Sequence, residues 1–167
     1  VKYIKLIPTL QLKLAEIQAS LDPTVTNINS LSKPTTDVAT AANGARIFGG
    51  HYANYHPNAN NSYIIDGTSA NQTIYGGGSI LYTPVISDQN NFYIELDKHY
   101  NLNTLKIQLH DLPPKDYHFE AYTSPDGLNW TKVMDRSTGS NQGLQTQTFP
   151  EAIVKYIKIH GIHVTSN

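Results

Sequence analysis

Apolar and polar residues alternate along most of this chain. "TLQLKL" is strict: Leu10, Leu12 and Leu14 fall on one face, Gln11 and Lys13 on the other. "VKYIKLI" sets Val1, Tyr3 and Lys5 against Lys2, Ile4 and Leu6. A period of two is the mark of a half-buried strand. "LKLAEIQASL" also fits a short helix, which stays open as the minority reading. Eight further short segments follow: "ARIFGG", "SYIIDG", "NFYIELD", "TLKIQLHD", "YHFEAYTS", "WTKVMD", "LQTQTF" and "VKYIKIHGI". Each is rich in β-branched and aromatic residues, and each ends at a turn signal. Strands at this spacing predict an all-β sandwich or barrel. No stretch has the length and caps of a long helix.

Turn chemistry separates the strands. "TSPDGLNW" places Pro125, Asp126 and Gly127 at a tight turn, and the Trp130 that follows is expected to anchor the core or its rim. Pro113-Pro114 cannot continue a ladder and predicts a stiff loop. The stretch 21–43, rich in Ser, Thr, Asn, Pro and Asp, reads as a linker or an irregular excursion. The chain thus divides into an N-terminal strand segment (1–20), the excursion (21–43) and a β-sandwich (44–167). Val1–Lys5 and Val154–Lys158 are the same pentapeptide, so one element occurs at both ends.

Composition narrows the function classes. Charged residues make up only 15%, and 11 tyrosines accompany a single Trp. No Cys is present, which excludes a disulfide scaffold, a thiolate zinc site and a Cys nucleophile. Net charge is −1, with no basic stripe for nucleic acid. No apolar run is long enough for membrane insertion. The N-x-S/T triplets at Asn60, Asn71 and Asn129 arise easily by chance in so Asn-rich a chain. A chain opening on Val rather than Met reads as processed or cut from a longer one.

The loop 49–63 holds His51, Tyr52, Tyr55 and His56 among several Asn. Aromatic faces with amide and imidazole donors are what sugar recognition uses. The simpler reading is a packed loop whose tyrosines cover one end of the sandwich. His160 and His163 have a spacing seen in metal sites, but on a strand they point to opposite faces and read as structural. Glu95, Asp97, Glu120 and Glu151 show no pairing along the sequence, and no nucleophile–base pair stands out. "YGGGS" lacks the Lys and helix of a phosphate loop. The residues therefore give no support to an enzyme.

Several of these segments resemble the discoidin, or coagulation-factor type C, domain and its carbohydrate-binding-module relatives. They are "NNSYIIDGTSANQT", "FYIELDKHYNLNTLKIQL", "YHFEAYTSPDGLNWTKV" and "FPEAIVKYIKIHG", with Lys where the family's late strand carries Arg. The resemblance covers roughly residues 44–161. It implies an eight-stranded jelly-roll β-sandwich, here with an extra N-terminal β segment, that binds ligands through loops at one end. If the family topology holds, Tyr75, His110 and Asp111 lie near the loop residues 51–56. The relatives hold a structural calcium, which here would fall to Asp66, Thr73 and Glu16; the plainer reading is that Asp66 caps its Asp-Gly turn. "NGARIFGG", "IIDG" and "VMDRST" look most like the branch found as recognition modules in intracellular adaptor proteins.

The expectation is a non-catalytic module of a secreted or surface protein that binds a glycan or a protein-surface ligand. The alternative starts from the family's last strand, whose Leu-x-Glu pattern occurs here at "LAEIQ" near the N-terminus. Residues 1–20 would then be the tail of a preceding repeat, or would complete their own sheet or a neighbour's. In the last case self-association would run head-to-tail, as a filament or array.

Overall fold

The computed structural model describes residues 30–49, 51, 52, 65, 67, 81, 82, 91–109 and 116–164. Seven strands fall within them: β1 (Arg46–Gly49), β2 (His51–Tyr52), β3 (Leu81–Tyr82), β4 (Asn91–Gln108), β5 (Tyr117–Ser124), β6 (Thr131–Arg136) and β7 (Leu144–Val164). Five form one antiparallel sheet in the order β1-β4-β7-β5-β6, and β2 pairs with β3. The all-β expectation holds. Residues 1–20, with their duplicated pentapeptide, lie outside the described residues.

Alternation builds the core directly. From β4, Ile94 and Leu96 point inward; β7 supplies Val154, Ile157 and Ile159; β5 supplies Phe119 and Ala121; β6 supplies Met134. Leu96, Met134, Val154 and Ala121 are at most 1% exposed. Burying an aliphatic side chain of this size contributes about 1.5–3 kcal/mol, so this inward face holds the sheet together. Residues 30–45, the described part before β1, carry no strand. They pack Val38, Ala39 and Ala45 against the core. Their 3-10 turn Ala41–Asn43 is capped by Thr40 Oγ1, which accepts from the Asn43 amide at 3.2 Å.

Two long strands replace four short ones. "NFYIELD" and "TLKIQLH" run on as β4, and "LQTQTF" and "VKYIKIHGI" as β7. The pairing slips between Glu95 and Tyr100, and again between Leu102 and Thr104. At the first slip, β4 carries Leu96–His99 past Lys155. At the second, β7 carries Phe149–Glu151, including Pro150, which has no N–H to give the ladder. Such bulges bend paired strands without ending them. Period-two reading sees the break in phase and not the continuity of the backbone.

Candidate functional site

The outward face of the sheet carries the unusual chemistry. Register places Phe48 opposite Tyr93, Tyr93 opposite Lys158, Lys158 opposite Tyr122, and Tyr122 opposite Lys132. One row of side chains thus crosses all five strands. A bulge in β6 is needed to complete it: Ala121 pairs with Met134 but Tyr122 with Lys132, which leaves Val133 as the extra residue. Without it Lys132 would share the inward face of Met134.

Aromatic rings line one end of this row. Phe48 and Tyr93 are stacked, with centroids 5.5 Å apart and planes 12° apart. Tyr93 meets Trp130 at 5.7 Å and a tilt of 49°. Phe48, Tyr93, Trp130 and Tyr156, with Asp126 and Gly127, line a cleft of about 370 Å³. That volume is at the small end of the range for small-molecule sites. Phe48 is 45% exposed although it is a large apolar side chain on an edge strand.

The wall of the cleft is the 124–130 turn, and its own chemistry makes it rigid. Ser124 Oγ accepts from the Gly127 amide at 2.9 Å and donates to Asp126 Oδ1 at 2.9 Å. Asp126 Oδ1 also accepts from the Leu128 and Asn129 amides, each at 2.8 Å. Desolvation works to raise the Asp126 carboxyl, but these bonds outweigh it and hold the group below the usual carboxylate range. Gly127 takes φ +71°, and a Cβ there would stand 3.6 Å from the Tyr156 ring. Glycine thus satisfies the left-handed turn while the backbone lies against the tyrosine.

On this face Lys132 and Lys155 are ion-paired, and Lys158 has no ion pair among the described residues. Lys132 bonds Glu120 at 3.0 Å and Asp135 at 2.6 Å. Glu120 also accepts from the Tyr122 hydroxyl at 2.5 Å. The hydrogen bonds from Tyr122 and Lys132 lower the Glu120 carboxyl against the opposing pull of burial. Lys155 pairs with Glu95 at 3.4 Å. Lys158 instead lies 4.0 Å from the Tyr122 ring centroid and 4.9 Å from that of Trp130. Burial lowers its pKa, with Glu120 pulling the other way.

Of the site residues expected from sequence, His51 and Tyr52 fall within the described residues. They form β2, opposite Tyr82 and Leu81, and β2 begins two residues after β1 ends at Gly49. Tyr55, His56, Tyr75, His110 and Asp111 lie outside the described residues. So do the calcium candidates Asp66, Thr73 and Glu16; their neighbour Ile65 is buried in the core and Gly67 abuts Thr40. Among the described residues, no group of three His, Asp or Glu side chains comes together. His160 bonds Asn91, and His163 faces His118 at 5.6 Å.

Sequence reasoning missed Phe48, Tyr93, Tyr122, Tyr156 and Lys158, and read Trp130 only as an anchor. Alternation in "NFYIELD" and "KYIKIH" does place Tyr93, Tyr156 and Lys158 on outward faces. What brings them together is register between strands distant in sequence.

The described strands thus form an all-β fold with an aromatic cleft on the outward face of the five-stranded sheet. The chain belongs to the F5/8 type C, or discoidin, domain family, whose model matches residues 49–167. Among curated proteins it is 28% identical over 142 residues to BTB/POZ domain-containing protein 9 of Homo sapiens, and equally so to that of Bos taurus. The match covers 84% of this chain but 22% of those proteins, so the chain spans about a fifth of their length. Among solved structures it resembles the Clostridium perfringens module CpGH89CBM32-5, in complex with GalNAc-β-1,3-galactose. That match has a TM-score of 0.51 and 18% identity over 71% of this chain and 83% of the module. The module CpGH89CBM32-4, in complex with GlcNAc-α-1,4-galactose, matches at 0.56 and 15% over 81% and 85%. At these identities the likeness is one of fold.

Proposed function

We propose that this chain is a non-catalytic recognition module that binds glycan in the cleft between β1, β4 and the 124–130 turn. The observation that carries this reading is the run of rings from Phe48 through Tyr93 to Trp130, beside the ionised Asp126. Sugar C–H faces pack on aromatic rings, and hydroxyls donate to a fixed carboxylate or to a tyrosine oxygen. Asp126 is already held in place by its turn, so little order is lost on binding. The fold's presence in modules solved with galactose-containing disaccharides supports the same reading.

A glycan ligand implies an extracellular or cell-surface setting. Kinship with BTB/POZ domain-containing protein 9 supports a different setting, with a protein ligand in the same cleft. A glycan array separates the two. The wild-type chain is expected to bind a defined set of sugars, and Tyr93→Ala and Trp130→Ala to weaken that binding at least tenfold while remaining folded. Binding that survives both substitutions would place the ligand elsewhere. An array without hits, together with capture of a protein ligand that Trp130→Ala abolishes, would replace glycan with protein.

A further inference from the structure

We infer that the ligand is an acidic sugar whose carboxylate or sulfate sits on Lys158; this rests on the glycan reading and refines it. The argument is an accounting of donors and acceptors. A lysine ammonium has three N–H donors, and in a half-buried position they need acceptors. Lys155, also half-buried, has Glu95 and the Leu96 carbonyl. Lys132 has Glu120 and Asp135. Lys158 has two ring faces, and no hydrogen-bond acceptor among the described residues. Rings attract the cation but leave its donors unmade. Lys98 and Lys106 need none of this, because both are exposed to water.

The carboxylates on the same face are already committed. Glu120 and Asp135 hold Lys132, Glu95 holds Lys155, and Asp126 caps its turn. An incoming anion therefore finds the Lys158 ammonium available without having to break an existing ion pair. Position supports the match. Lys158 lies over the same indole that lines the cleft, so a ring packed among Tyr93 and Trp130 brings a substituent within reach of the ammonium. Partial burial strengthens such a pair relative to one in open water and reduces its screening by salt.

The experiment is a calorimetric titration of the full chain with matched probes. One pair is galacturonate trisaccharide and neutral galactotriose; the other is galactose 6-sulfate and galactose. The expected result is an acidic probe bound at least tenfold more tightly than its neutral partner. Which pair shows the gap tells carboxylate from sulfate. Lys158→Met is expected to erase the gap, Lys158→Arg to keep most of it, and Lys106→Met, on the far part of β4, to leave it unchanged. A gap that persists in a folded Lys158→Met variant would overturn the assignment to Lys158. Neutral sugars bound as tightly as acidic ones by the wild type would overturn the acidic ligand but leave the glycan reading standing. Failure of every sugar would remove both.

Discussion

At the residue scale the site depends on one carboxylate that never touches the core. Asp126 accepts two backbone amides, the Ser124 hydroxyl and the Asn129 side-chain amide, and so sets the wall against which Tyr156 and Trp130 stand. Asp126→Ala leaves those donors to water, and the turn is exposed. A loss of about 1–2 kcal/mol in denaturant unfolding is therefore expected, the lower part of the range for bonds to a charged group. The carboxyl's folded pKa is depressed, so its contribution to stability is complete above the ordinary carboxylate pKa of about 4 and is lost as pH falls toward the folded value. Thermal midpoints measured between pH 5 and 2.5 should fall less steeply for Asp126→Asn than for the wild type. An identical slope would remove this carboxylate from the acid response. The Ser-x-Asp-Gly spacing made this turn legible in the sequence, because its bonds join residues two or three apart.

Elements were legible in kind but not in extent. Alternation identified the strand segments of the described sheet, yet β4 and β7 were each read as two. Local patterning carries no information about whether a break in phase ends a strand or merely bends it. The bulge at Val133 shows the same limit: nothing in "WTKVMD" says that Lys132 must face outward beside Asp135, and only the pairing with β5 decides it. This predicts that deleting Val133 joins Lys132 to Met134 in a regular ladder, with Lys132 still outward opposite Tyr122, and changes denaturant-unfolding stability by no more than about 1 kcal/mol; a loss of several kcal/mol would mean that the ammonium turns toward the core. Packing gives a second test. Val154 is fully buried on β7, and Val154→Ala should cost about 2 kcal/mol from lost transfer energy and the cavity left behind. A cost near zero would mean that the face shared by β4, β7 and β5 collapses freely around the gap.

At the scale of the whole molecule, the family could be read from motifs, and the described part of the site could not. The segments that carry the resemblance are contiguous in sequence. Phe48, Tyr93, Trp130, Tyr156 and Lys158 are spread over more than a hundred residues and meet only when five strands take one register. Sequence reasoning favoured the loop rich in His, Tyr and Asn because its candidates are neighbours along the chain. That loop starts at Gly49, directly after Phe48 of the cleft; on the proposed reading the aromatic row, and not the loop, supplies the binding surface.

The chain's single tryptophan is Trp130, so its fluorescence reports on this cleft alone. The decisive measurement is Trp emission during titration with a glycan that the chain binds. A saturable shift in emission, with a midpoint equal to the calorimetric Kd, is the predicted result. Binding by calorimetry with unchanged Trp130 emission would contradict the account and move the site off the sheet face.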